Sequence, residues 1–263
     1  MQKLVGQVRR CMEDYDMIRP GDTVAVGVSG GKDSLGLLVL LNALRPYYPV
    51  PFSLHAITLD LGFGGMDFSP VGALCEEMGV PYTVVKTQIG PLIFEARKES
   101  NPCSLCARMR RGALNEAILD LGIRKIALGH HMDDAVETFL LSLLYEGRLS
   151  CFQPVTLLDR SGVTQIRPLL YIGEKALEGL AEREGLPVVE STCPADRHTR
   201  REDVKDLIRT LSGQYPDLKS RIFGSMQRLP LPAWGVERDG RKTPSDRNRS
   251  KPDGPAAPDR SEA

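Results

Sequence analysis

The chain has 263 residues, 41% of them hydrophobic, enough for one α/β domain of ordinary size with a small appendage. Its 34 Lys and Arg residues balance 34 Asp and Glu residues, which excludes a global basic field and leaves any nucleic-acid partner to local patches. Gly, Pro or charge breaks every apolar run short of a membrane span, and no signal peptide opens the chain, so a cytoplasmic protein without membrane association is expected.

Residues 3–17 carry Leu4, Val8, Met12 and Tyr15 at helical spacing, with Arg9 and Arg10 on the outer side, until Pro20-Gly21-Asp22 breaks the helix. A β-branched strand at 23–28, a glycine turn and a Leu-rich helix at 35–41 follow. After a turn at 45–49 come a strand at 52–60, a helix at 69–79 and a strand at 81–85. A helix at 104–121 closes at Gly122, then a strand at 125–128 leads to a very apolar helix at 133–145. A strand at 163–169 and a helix at 174–184 precede a short extended piece at 187–189. Val204, Leu207, Ile208 and Leu211 mark one helix face, and Pro216 opens another helix through Met226. From about Gly235 the composition shifts to Arg, Asp, Ser, Pro and Gly, predicting a disordered tail. Strand and helix alternate with crossovers long enough for parallel pairing. This predicts an α/β fold: a doubly wound, mostly parallel sheet with helices on both faces, an N-terminal helix and a C-terminal helical extension. The expected divisions are 1–20, 21–190, 191–234 and the tail 235–263.

The loop Ser29-Gly30-Gly31-Lys32-Asp33-Ser34 joins the first strand to its helix. Glycines there let the backbone approach a ligand, N–H groups at the helix start face outward, and Lys32 adds a point charge. Two commoner phosphate loops are excluded. The Walker pattern needs Gly where Val26 stands and Ser or Thr after Lys32, and the dinucleotide pattern needs glycines that Val28 and Ser29 do not supply. The loop resembles the PP-loop of the ATP pyrophosphatase family, which implies that ATP is cleaved between its α and β phosphates. Ligands of doubly wound sheets sit at the carboxyl ends of strands, so the loop, Asp60 and the segment 129–134 should share one crevice.

Six cysteines occur without a dense secreted-type framework. Cys103-Ser104-Leu105-Cys106 is a CxxC at a helix start, open to a redox pair, half a zinc site or part of an iron–sulfur site. A second CxxC is absent, and Cys193 is the one later cysteine in a similar loop. Three cysteines around a metal leave one position open, which suits a reactive site. Cys11, Cys75 and Cys151 read as small core residues.

In Gly129-His130-His131-Met132-Asp133-Asp134 either aspartate suits a helix N-cap, and a carboxylate beside ATP phosphates can hold Mg²⁺ or position a nucleophile. Arg108, Arg110 and Arg111 follow the cysteine pair by one turn and suit phosphate, while Arg201, Lys205 and Arg209 form a basic stripe that is a candidate for RNA-backbone contact.

The loop, the run 103–112 around the CxxC and the run 129–134 occur in the order found in the TtcA-type tRNA thiolases of the PP-loop superfamily, and the resemblance covers roughly 1–230. It is also similar to the TtuA thiolases, whose flanking zinc-binding CxxC pairs this chain lacks. Lysidine synthetases share the loop but not the cysteine trio. The resemblance implies an ATP- and Mg²⁺-dependent enzyme that adenylates C2 of a tRNA cytidine and replaces its oxygen with sulfur. It implies a 4Fe-4S cluster on Cys103, Cys106 and Cys193, and catalytic roles for Asp134, Arg110 and Lys32. The nucleotide would meet Ser29, Gly30, Gly31, Lys32, Asp33, Ser34, Gly129 and Asp134, with Ala56 and Asp60 near the adenosine. Expected partners are tRNA, a sulfur donor (sulfide or a cysteine desulfurase system) and a second copy of the chain. The rivals are a 2-thiouridine-type thiolase and a non-catalytic iron–sulfur nucleotide sensor.

Overall fold

The computed structural model describes residues 1–97, 102–193, 200–228 and 234. Its elements are α1 (Gln2–Asp14), β1 (Thr23–Gly27), α2 (Lys32–Leu44), β2 (Ser53–Asp60), α3 (Ser69–Glu77), β3 (Tyr82–Lys86), α4 (Pro102–Asp120), β4 (Lys125–Ala127), α5 (Met132–Glu146), β5 (Val155–Leu158), β6 (Val163–Ile166), α6 (Glu174–Arg183), α7 (Arg200–Gln214) and α8 (Leu218–Arg228). Leu92–Arg97 adds a π-helical turn.

The strands form one sheet in the order β3-β2-β1-β4-β6-β5. β1 pairs in parallel with both β2 and β4, β2 with β3, and β4 with β6; β5 alone runs antiparallel, against β6. The alternation along β1 explains the two layers. Val24 and Val26 face the larger core with Leu35, Leu38, Val136 and Leu177, whereas Ala25 faces a smaller one with Ile118, Ile123 and Ile126. Most helices cover the first face and α4 covers the second, so the doubly wound arrangement read from the sequence is the observed one. The larger core also takes in Leu4 and Val8 of α1, Val204 and Ile208 of α7, Phe223 and Met226 of α8, and Trp234.

Two differences from the sequence reading have physical causes. β5 is an additional edge strand, closed onto β6 through a turn with Gly162 at φ +66°. β6 stops at Ile166, and Pro168 has no N–H to extend the ladder. No helix among the described residues is long and apolar enough to cross a membrane. The tail expected from 235 lies outside the described residues.

The chain order reverses direction between β1 and β4, and that switch point opens a crevice at the carboxyl edge of the sheet. The loop after β1, the turn after β4 and the start of α6 after β6 all arrive there.

Candidate active site at the carboxyl edge of the sheet

The phosphate-type loop holds its own shape. Ser34 Oγ accepts from Ser29 N (3.0 Å) and donates to Gly31 O (2.9 Å), and Ser29 Oγ lies 3.1 Å from Ser34 Oγ. Both hydroxyls of the loop are therefore engaged within it. Gly31 is the N-cap of α2, and no side chain caps that helix, so its first amides are left to an anion. Gly30 sits at φ +87° under Val189, whose N–H donates to Gly30 O at 2.9 Å. A Cβ at Gly30 would lie 2.9 Å from Val189 Cβ. Gly30→Ala combines that clash with left-handed strain and should cost about 2 kcal/mol, read as a lower melting midpoint. An unchanged midpoint would show that the loop relaxes freely.

Lys32 Nζ lies 3.1 Å from Glu174 Oε1 at the start of α6 and 3.3 Å from Asp33 Oδ2. Burial acts against the ammonium, but the two carboxylates outweigh it and raise its pKa. Burial pushes the Asp33 carboxyl up, against the pull of His131 and Lys32. Asp33 Oδ1 is buried and has no hydrogen-bond partner among the described residues. Gly129 lets the end of β4 touch this loop, since a Cβ there would lie 3.1 Å from Ser34 N and 3.2 Å from Asp33 C.

The turn into α5 departs from the capping expected of Asp133 or Asp134. The helix starts at Met132, which makes His131 the N-cap and Asp134 the third residue. Asp134 N donates to His131 Nδ1 (3.4 Å) and His131 N donates to Asp134 Oδ2 (3.0 Å), a reciprocal capping box. Asp133 has a different task. Its buried carboxylate accepts from Glu174 N at 2.7 Å and from Lys219 Nζ of α8. Burial raises this carboxyl, but Lys219 and the Glu174 amide win and hold it below the usual carboxylate range.

Asp134 Oδ1 accepts from Arg201 Nη1 at 3.1 Å. Arg201, expected on a basic outer stripe, is thus turned toward α5. Arg209 remains exposed beside Asp206 (2.6 Å), and Lys205 lies 3.8 Å from Glu202.

The His130 ring lies 5.0 Å from the Phe152 ring, tilted by 45°, and burial followed by Arg167 pushes its pKa down from 6.5 to about 4. The folded value lies below the unfolded one, so the unfolded chain binds the extra proton and stability is lost as pH falls from 6.5 toward 4. Between pH 7 and pH 5 this group should cost about 2 kcal/mol. His130→Gln should remove that part of the pH dependence of the melting midpoint; parallel slopes in variant and wild type would exclude His130 as the cause.

Cys103 and Cys106 lie in the first turn of α4, Cys103 exposed and Cys106 buried, and Cys193 is half-buried. Burial raises the Cys106 thiol, Arg110 lowers it, and Cys193 and Cys103 raise it further. Those four groups therefore share one electrostatic neighbourhood. Among the described residues no three or more His, Cys, Asp or Glu side chains are gathered at metal-ligating geometry. The segment ending at Cys193 is held by Thr192 Oγ1, which donates to Gly64 O at 3.2 Å. Residues 194–199, which follow Cys193 directly, lie outside the described residues. The other thiols behave as core groups: burial raises Cys11, Cys75 (to about 11) and Cys151 (to about 12).

Arg108, Arg110 and Arg111 are exposed. Asp60 ends β2 at the crevice, where its Oδ1 accepts from Gly62 N at 2.9 Å. Ala56 is fully buried in mid-β2, and its N–H donates to Pro81 O at 2.8 Å. Sequence reasoning missed Glu174, Lys219 and Val189. Glu174 was within reach, because a helix opening after β6 must start at the same sheet edge; Lys219, 86 residues from Asp133, carries no local signal.

Residues 2–211 match the PP-loop domain family, and the chain belongs to that family. It is similar to the tRNA-cytidine(32) 2-sulfurtransferase of Syntrophotalea carbinolica, with 38% identity over 229 residues, 86% of this chain and 87% of that one. The protein of the same name from Anaeromyxobacter dehalogenans is 37% identical over 241 residues, 90% of this chain and 82% of that one. Among solved structures, the U34-tRNA thiolase NcsA from Methanococcus maripaludis with its [4Fe-4S] cluster superposes with a TM-score of 0.69 and 28% identity, over 84% of this chain and 76% of that one.

Proposed function

We propose that the protein is an ATP-dependent tRNA sulfurtransferase that converts a tRNA cytidine to 2-thiocytidine in the cytoplasm. The observation that carries this reading is the uncapped start of α2 with Lys32 at its mouth, and the charges that act on Cys106, those of Arg110, Cys193 and Cys103, support it. The names of the relatives supply the substrate.

ATP phosphates take the α2 amides and Lys32, which exchanges Glu174 for phosphate. The partnerless oxygen of Asp33 and the carboxylate of Asp134 suit the accompanying Mg²⁺. The cytidine C2 oxygen attacks the α-phosphorus and pyrophosphate leaves, with Lys32 and the loop amides stabilising the charge that builds on it. The base oxygen then departs as AMP when sulfur attacks C2. The soft thiols of Cys103, Cys106 and Cys193 would hold a 4Fe-4S cluster, and the chemistry it would supply is delivery of that sulfur, drawn from sulfide or a cysteine desulfurase. Arg110, one turn from Cys106, orients the activated base. Arg108, Arg111 and Arg209 are open to RNA phosphates, and Lys205 adds charge beside them. The active form is a homodimer. The segment 21–190 forms the ATP-binding unit, flanked by the N-terminal helix 1–20 and the cysteine loop with its helices at 191–234.

The test is anaerobic incubation with ATP, Mg²⁺, sulfide and tRNA, followed by AMP quantification and mass spectrometry of the nucleosides. The expected product is 2-thiocytidine. Thiouridine in its place would move the substrate to that of the thiolase neighbour, and no AMP above background would favour a nucleotide sensor. The anaerobically purified protein should carry about four irons per chain, and Cys103→Ser should lose them. A colourless, zinc-bearing protein would overturn the cluster.

A further inference from the structure

Arg201 lies outside the phosphate-type loop and outside the cysteine neighbourhood, yet its guanidinium is the most heavily engaged side chain between α7 and α5. Nη1 donates to Asp134 Oδ1 (3.1 Å) and Glu137 Oε2 (3.2 Å), and Nη2 donates to Thr138 Oγ1 (3.2 Å). The acceptors stand at i, i+3 and i+4 of α5, one continuous face. The second oxygen of Asp134 is already bonded to His131 N, so Arg201 leaves that carboxylate with both oxygens assigned. Burial pushes the Glu137 carboxyl up, and Lys205 and Arg201 are the cations that counter it. A solvated stripe residue would show none of this; the Arg201 side chain is 38% exposed and its charged end points into the helix pair.

Arg201 follows Cys193 by eight residues and opens α7. One side chain therefore joins Asp134 to α7, the next described element after Cys193 in the chain. A lysine ammonium also has three donors, but it concentrates them on one atom and lacks the span by which Nη1 and Nη2 divide these acceptors.

We infer that Arg201 is a positioning residue: it sets the orientation of Asp134 for ATP activation and ties that orientation to the segment carrying Cys193. This rests on the functional reading above, in which Asp134 faces the nucleotide. The tie is reciprocal, as any coupling between two sites must be.

The experiment compares wild type, Arg201→Gln, Arg201→Lys and the milder Thr138→Val, which removes one acceptor and no charge. Arg201→Gln should lower kcat for tRNA-dependent pyrophosphate release by about tenfold to a hundredfold with the KM for tRNA nearly unchanged. Thr138→Val should lower kcat by about twofold to fivefold, and Arg201→Lys should recover only part of the loss. Asp134→Asn with Arg201→Gln should be no slower than Asp134→Asn alone, because both act through one carboxylate. A second readout needs no turnover. Alkylation of Cys193 in the cluster-free protein should change by about fivefold when Mg²⁺ and α,β-methylene ATP are added to wild type, and the response should vanish in Arg201→Gln. A folded Arg201→Gln with wild-type kcat and a raised KM for tRNA would make Arg201 an RNA contact and overturn the assignment. So would an alkylation response equal to that of wild type. A wild type that neither binds the analogue nor releases pyrophosphate overturns the functional reading itself, and the assignment with it.

Discussion

Lys32→Met is expected to cut tRNA-dependent pyrophosphate release by about a thousandfold while the protein stays folded. Lys32 is half-buried at the opening of α2, where Asp33 and Glu174 hold its ammonium in place. Its removal takes away the charge that faces the leaving pyrophosphate and leaves two carboxylates pointing at an incoming polyanion. Both effects act on the same step and in the same direction. The pair with Glu174 is partly solvated, so its loss should cost less than about 1 kcal/mol and move the melting midpoint by only a few degrees. Pyrophosphate release, measured with tRNA at saturating ATP, decides the matter. A loss below about tenfold would sink the phosphate role of Lys32.

Asp133→Ala should produce the largest loss of stability, about 3 kcal/mol, or roughly 10 °C in the melting midpoint. Asp133 is only 5% exposed and ties the start of α6 to Lys219 of α8. Alanine leaves a helix-start amide and an ammonium facing an empty site. Because this carboxyl titrates below its ordinary range in the folded protein, its contribution is fully present at neutral pH and fades as pH falls through the folded value. The gap between variant and wild type should therefore be widest near pH 7 and narrow in acid. A shift below about 2 °C at pH 7 would mean that α6 and α8 are held by their apolar contacts alone.

The division of labour between Asp133 and Asp134 shows where sequence reasoning stops. Local pattern made the strand, glycine turn and Leu-rich helix around Lys32 visible, because each depends on neighbours within one turn. The parallel sheet followed from the alternation of such units. β5 was hidden because four residues with Leu157 outward carry little pattern, and what holds them is pairing with β6. The inward turn of Arg201 was hidden for a related reason. Its helix reads as a basic stripe until α7 packs on α5 and offers three acceptors that lie more than sixty residues earlier. The cysteines were found by residue type, whereas Ala56 was named through the resemblance alone, because a buried mid-strand residue carries no chemical signal of its own. His131, unremarkable by type, became the cap because the helix began one residue sooner than the aspartates suggested.

The clamp of Val189 on Gly30 has a geometric consequence for the chemistry. Only four peptide links run from Val189 to Cys193, so the two Cα atoms can never be more than about 14 Å apart, however the intervening backbone bends. The glycine turn in front of Lys32 is thus leashed to the Cys193 thiol, and the two cannot drift apart while that clamp holds.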